Sequence, residues 1–215
     1  MKGCLFDLDG VIVDTAQYHY QAWKKLANTL GFDVSVQQNE QLKGISRTES
    51  MAKLLAWGGL SLPAEKQAEL AERKNGWYVD MVSSMTPDAL LPGVEALLIE
   101  LRRKGIGIAL GSASKNARLI LGKTAVGDFF DVVVDGNMVS RSKPDPEVFL
   151  TGAEKLRVSP ADCVVFEDAA AGVEAAKRAG MKTVGIGHPN ELHEADWIVP
   201  NLAGMTVEKL NELFY

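Results

Sequence analysis

The chain has 215 residues, of which 47% are hydrophobic and 24% charged, with a formal net charge of −5. That length buries one substantial core, or one core plus a small accessory unit. The acidic balance and the absence of a basic block argue against nonspecific nucleic-acid binding. No apolar run approaches the length of a membrane span, and no basic apolar leader is read at the N-terminus. Cys4 and Cys163 both fall in apolar runs and read as small core residues of a reducing, cytoplasmic compartment. With three histidines and two cysteines at no ligand spacing, a zinc site is not expected.

The first element is an apolar run ending in Cys4-Leu5-Phe6-Asp7-Leu8-Asp9-Gly10-Val11. Alternate residues of a strand point the same way, so Asp7 and Asp9 are expected to share one space where the strand ends. Two ionised carboxylates that close repel, and an oxygen-only site for Mg²⁺ resolves the conflict. Gly10 lets the chain turn. A turn that merely contains two aspartates would read the same way.

From Thr15 to about Leu30, the apolar spacing of Ala22, Trp23, Leu26, Ala27 and Leu30 predicts a helix stopped by Gly31. His19 lies on it, either as a surface residue or turned toward the aspartates. Ser46-x-x-Glu49 is a capping box, so a helix should start at Ser46. Arg47 then sits in its first turn, where a cation costs a few tenths of a kcal/mol. It is either solvated or holds an anion with the free N–H groups of that turn. After Trp57-Gly58-Gly59, Pro63 opens a long polar helix toward Met85 that carries Arg73-Lys74-Asn75. That triplet is a solvated face unless something else recruits it.

Val94 to Lys104 reads as an amphipathic helix, and Ile106–Leu110 as a strand. Gly111-Ser112-Ala113-Ser114-Lys115-Asn116 follows, with a helix opening near Ser114. Such a turn suits either N-capping or a phosphate cradle. Phe130–Asp135 is another strand. Lys143-Pro144-Asp145-Pro146 opens a helix, with Asp145 as its cap, and Pro144 biases Lys143 toward an extended backbone. Cys163–Phe166 is a strand ending in Glu167-Asp168, where Asp168 is either a helix cap or a partner of Asp7. Lys182–Gly187 and Ala195–Val199 close the sheet, and Thr206–Phe214 is a terminal helix. Apolar strands alternating with amphipathic helices predict an α/β fold: a Rossmann-like parallel sheet covered on both faces, with its ligand site at the strand C-termini. The core is read as residues 1–14 and 89–215, with residues 15–88 as an inserted all-helical cap on two linkers, a geometry that permits opening and closing.

Asp7-Leu8-Asp9-Gly10-Val11, Ser112, Lys143-Pro144 and Glu167-Asp168 resemble the four motifs of the haloacid dehalogenase-like phosphotransferases, along the whole chain. The resemblance implies that Asp7 attacks phosphorus to give an aspartyl phosphate and that Asp9 is the general acid and base. It implies that Ser112 and Lys143 hold the phosphoryl group. Mg²⁺ would be bound by Asp7, the Asp9 carbonyl, Glu167 and Asp168, and the bond before Pro144 is expected to be cis. Lys43-Gly44-Ile45-Ser46-Arg47, His19 and Arg73-Lys74-Asn75 further resemble the caps of the sugar phosphomutases in that superfamily. By that likeness Arg47, Ser114, Lys115 and Asn116 hold the phosphate that is not being transferred. His19 and Lys74 couple cap closure to Asp9, while Thr15, Trp23, Lys43, Gly44, Ile45, Ser46 and Ala113 line the substrate. Ala117 and Gly111 depart from the expected glycine and alanine, without changing a side-chain donor.

The implied reaction is conversion of β-D-glucose 1-phosphate to D-glucose 6-phosphate, with catalytic β-glucose 1,6-bisphosphate as activator, by a cytoplasmic monomer that binds neither nucleic acid nor membrane. A sugar-phosphate phosphatase on the same scaffold is the nearest rival. A catalytically silent phosphosugar-binding protein is another, disfavoured because a binding module has no use for adjacent carboxylates facing an anion.

Overall fold

The computed structural model describes residues 1–215. Its centre is a six-stranded sheet in the order β3-β2-β1-β4-β5-β6, with every pairing parallel. The strands are β1 (Gly3–Phe6), β2 (Gly107–Gly111), β3 (Val132–Val134), β4 (Cys163–Glu167), β5 (Lys182–Ile186) and β6 (Trp197–Val199). The first strand is central and buried on both faces, which is why it reads as a continuous apolar run rather than an alternating one.

The period of two sorts side chains between two layers. Cys4 and Phe6 join a cluster with Leu97, Ile108 and Ile120, beneath α5 (Val94–Arg103) and α6 (Ala117–Thr124). Leu5 points the other way, toward Phe149, Ala153 and Ala176 of α7 (Glu147–Leu156) and α8 (Ala170–Arg178). Phe6 stacks on Phe166 at 4.4 Å between ring centroids and meets Phe130 edge-on at 6.2 Å. Short helices α9 (Pro189–Leu192) and α10 (Val207–Asn211) complete the C-terminal part. No helix is long and apolar enough to cross a membrane.

Between β1 and β2 the chain first forms α1 (Ala16–Thr29), α2 (Val36–Glu40), α3 (Arg47–Trp57) and α4 (Ala64–Val82). These helices pack around their own cluster, which includes Trp23, Leu26, Leu54 and Leu70. Tyr78 and Val82 of α4 and Ala22 of α1 belong instead to the larger cluster beneath the sheet. The lower ends of these two helices are therefore anchored in the core.

Several local expectations shift. The α2 helix was not anticipated; Ser35 and Gln38 form a second capping box at its start. The helix expected near Ser114 starts at Ala117, because the Ser112 and Ser114 hydroxyls accept the N–H groups of Ser114 and Asn116 and hold residues 112–116 in successive turns. The third strand is only Val132–Val134, since the Asp131 carboxylate takes the Ile108 N–H, where a strand carbonyl would otherwise sit. Pro146 occupies the N-cap position of α7, and Asp145 accepts the N–H of Glu147 at 3.0 Å.

Candidate active site

The parallel order brings the C-terminal ends of β1, β2 and β4 side by side. Asp7, Ser112 and the Glu167-Asp168 pair follow or end those strands. Carboxylate oxygens of Asp7, Glu167 and Asp168 lie within 4.8 Å of one another. Lys143 is 1% exposed, and its ammonium donates to both Asp7 and Glu167. The Lys143–Pro144 peptide is cis. Burial opposes the Lys143 charge, but the two carboxylates outweigh it and raise its pKa.

The turn after β1 is built around Gly10, at φ +80°. A Cβ there would stand 2.2 Å from the Asp168 carboxylate, so the residue must be glycine for the two acidic segments to meet. The backbone N–H of Asp9 donates to Asp7 Oδ2 at 3.1 Å. Thr15, fully buried, donates its hydroxyl to Asp9. Burial first, and the Asp7 charge second, raise Asp9 to about 6. Burial likewise pushes Glu167 to about 7, with Lys143 opposing, and raises Asp168 well above the usual carboxylate range.

Above the acids lies a cleft between the sheet's C-terminal edge and the helical layer. Its core-side rim is Asp7, Asp9, Ser112, Ala113, Ser114, Lys115, Asn116 and Asp168, and its helical wall includes His19, Trp23, Lys43, Gly44, Ile45, Arg47 and Lys74. Four expected residues stand outside the lining; one of them, Glu167 at the end of β4, is fully buried. Thr15 lies beneath Asp9, Lys143 lies behind Asp7, and Ser46 turns its hydroxyl to Glu49 in the capping box.

Arg47 donates to Asn75 Oδ1 at 2.8 Å and to Glu72 at 2.7 Å. Asn116 donates to the same Asn75 oxygen at 2.9 Å. A cation and two amides thus converge beside Ser114 and Lys115, a donor-rich corner suited to an anion. Lys74 is 3% exposed, with its ammonium 4.5 Å from the Trp23 ring centroid and 2.9 Å from His19 Nδ1. Burial, with Lys74 and Arg47 nearby, holds His19 well below its usual value, so the neutral ring accepts from Lys74. Burial and Arg47 lower Lys74 to about 7, against the pull of Asp9. Two further contacts join the helical layer to the core: Lys43 lies 3.5 Å from Asp168, and Ser142 donates to Glu49.

Sequence reasoning missed Asn39, Ser50 and Asn75, all of which line the cleft. Asn75 stood in the Arg73-Lys74-Asn75 triplet, and Ser50 lies one turn after Ser46, so helical spacing could have found both. Asn39 was hidden with the unread α2.

A central parallel strand ending in paired carboxylates, a buried lysine behind them and a serine turn alongside make an acid-lined phosphoryl-transfer site under a helical layer. Residues 1–180 match the haloacid dehalogenase-like hydrolase family, and the chain belongs to that family. It is 46% identical to the β-phosphoglucomutase of Bacillus subtilis over 215 residues, covering 99% of this chain and 95% of that protein. Its fold matches the crystal structure of β-phosphoglucomutase from Clostridium difficile with a TM-score of 0.96 and 41% identity, covering 100% of this chain and 97% of the other. A fructose-1-phosphate phosphatase of Escherichia coli is 32% identical over 186 residues, covering 86% of this chain and 95% of that protein.

Proposed function

We propose that the protein is a β-phosphoglucomutase, interconverting β-D-glucose 1-phosphate and D-glucose 6-phosphate through an aspartyl phosphate and β-D-glucose 1,6-bisphosphate. The strongest support is the pairing in one cleft of the Asp7 and Asp9 carboxylates with a separate donor corner at Arg47, Asn75 and Asn116. A phosphatase needs only the first; a mutase with a bisphosphate intermediate needs both. The identity to mutases from two organisms supports the same reading.

The acidic group fits Mg²⁺: three carboxylates converge, all donors are oxygen, and burial together with the neighbouring carboxylates keeps two of them reluctant to ionise. Asp7, Glu167, Asp168 and the Asp9 carbonyl would hold it. When bound, the ion supplies neutralisation of phosphoryl charge.

Asp7 attacks phosphorus in line, and the phosphorus–sugar oxygen bond breaks. Asp9, protonated at about its raised value of 6, gives its proton to the departing sugar oxygen. As a carboxylate it then takes the proton from the hydroxyl that attacks the aspartyl phosphate. Lys143 and Ser112 steady the phosphoryl oxygens. A phosphoenzyme primed by the bisphosphate transfers its phosphoryl group to the 6-hydroxyl of glucose 1-phosphate. The resulting bisphosphate turns around, with each phosphate fitting either end. The 1-phosphate then passes to Asp7 and glucose 6-phosphate leaves. Residues 15–88 act as a lid on linkers near Asp14-Thr15 and Pro87-Asp88. The Lys74–His19 pair and the Thr15–Asp9 hydrogen bond tie its position to the general acid.

Peptide mass spectrometry after incubation with the bisphosphate tests this chemistry. One added phosphoryl group is expected on the peptide containing Asp7. Retention of that label by Asp7→Asn would overturn the assignment.

A further inference from the structure

One buried polar side chain of the cleft, unused by this chemistry, is left without a partner for its oxygen. Asn39, on α2, lines the cleft and is 5% exposed. Its side-chain oxygen has no hydrogen-bond partner in the protein. Its backbone is satisfied, the N–H donating to the Ser35 carbonyl at 3.1 Å. Arg47, Lys74, Ser50 and Lys43 of the same cleft, by contrast, all have protein partners. An unpaired buried amide is costly, and few are retained without a role.

We propose that Asn39 is a specificity-determining residue that reads one ring hydroxyl of the hexose. The proposal deepens, and rests on, the mutase reading of the cleft. The chemistry of the group selects its ligand. A primary amide is neutral and both donates and accepts, as a sugar hydroxyl does. The anionic parts of the substrate are already matched by cations and N–H groups, so the amide is poorly suited to a phosphate and well suited to the sugar between the phosphates. A wall built around such a hydrogen bond rejects an analogue lacking the hydroxyl far more strongly than an apolar wall rejects by size, because the analogue leaves the buried group unpaired.

The test is a cycle of substrates against enzymes. The kcat/KM of wild type and Asn39→Ala is measured with β-glucose 1-phosphate and its 2-, 3- and 4-deoxy analogues. For one analogue, wild type should lose about tenfold or more relative to the parent sugar, and Asn39→Ala should discriminate no more than about twofold at that position. Identical ratios in both enzymes at all three positions would overturn the proposal. Asn39→Ser gives the same comparison should the alanine variant not fold. Because the amide oxygen has no protein partner, Asn39→Leu should melt within about 4 °C of wild type. A larger fall would mean that the amide is held internally, and would also count against the proposal. If the wild-type enzyme releases free phosphate instead of isomerising the sugar, the mutase reading fails alone. The same ratios, read from phosphate release, still decide the role of Asn39.

Discussion

The Arg47 guanidinium meets the side-chain oxygen of Asn75 at 2.8 Å. Because Asn116 donates to that same oxygen at 2.9 Å, a single acceptor joins α3, α4 and the turn before α6. This places the Arg47 cation next to core donors that face an anion. Arg47→Ala should therefore lower mutase turnover by about tenfold to a hundredfold, the worth of a charge-assisted hydrogen bond. Hydrolysis of a small phosphate ester, which needs only the Asp7 end, should change by less than about threefold. Parallel assays of the two activities check this, and equal losses would contradict the role given to Arg47.

Lys143 is buried between Asp7 and Glu167. Removing one partner of a buried ion cluster leaves charge uncompensated, at about 3–5 kcal/mol. Lys143→Met should therefore lower stability by that order and abolish turnover. Added Mg²⁺ should raise the melting temperature of the variant more than that of wild type, since it replaces a missing positive charge. Thermal melts with and without the ion test this.

Gly172 lies in α8, where alanine is ordinarily preferred to glycine by about 1 kcal/mol. Here a Cβ would stand 1.9 Å from a Glu167 carboxylate oxygen. Gly172→Ala should thus destabilise the protein despite its better helix propensity, and should weaken Mg²⁺ binding by about tenfold to a hundredfold, as displaced supports of metal ligands do. Calorimetric titration measures the affinity; an unchanged value would show that Glu167 is not a ligand.

Lys74 has a folded-state pKa pushed down to about 7 from an ordinary 10.5, chiefly by burial. The unfolded chain holds the proton up to the ordinary value, so between these limits unfolding takes up a proton. Stability from this group therefore rises with pH from about 7 to 10.5, and the full penalty is present below 7. Lys74→Met should stabilise the ligand-free protein by about 1–3 kcal/mol at pH 6, with the gain fading toward pH 10. Denaturant melts at the two pH values check the sign, even though the variant should lose mutase activity.

The parts of the site legible in the sequence were those whose chemistry is local. Asp7 and Asp9 could be read because alternate residues at a strand end share a face, and Ser46 with Glu49 announced α3 and hence Arg47. What was not legible depends on distant segments meeting. Lys143 stands out by its resemblance to a family motif and by the Pro144 after it, but its burial against carboxylates from β1 and β4 was not legible, since by itself it looks like any lysine before a helix. Nothing in the neighbours of Gly172 indicates that it clears space for Glu167. The α2 helix is five residues long and too short to show an apolar period, so its Ser35–Gln38 box was the one available signal, and Asn39 was lost with it. The start of α6 was misread because serine side chains compete with a helix for backbone N–H groups.

The central claim is that phosphate is moved within the sugar rather than released. A coupled assay with β-glucose 1-phosphate, Mg²⁺ and a trace of the 1,6-bisphosphate, following glucose 6-phosphate and free phosphate together, tests it most directly. Glucose 6-phosphate rising without free phosphate is the predicted result. Free phosphate as the main product would make the protein a sugar-phosphate phosphatase and would contradict the second phosphate corner at Arg47.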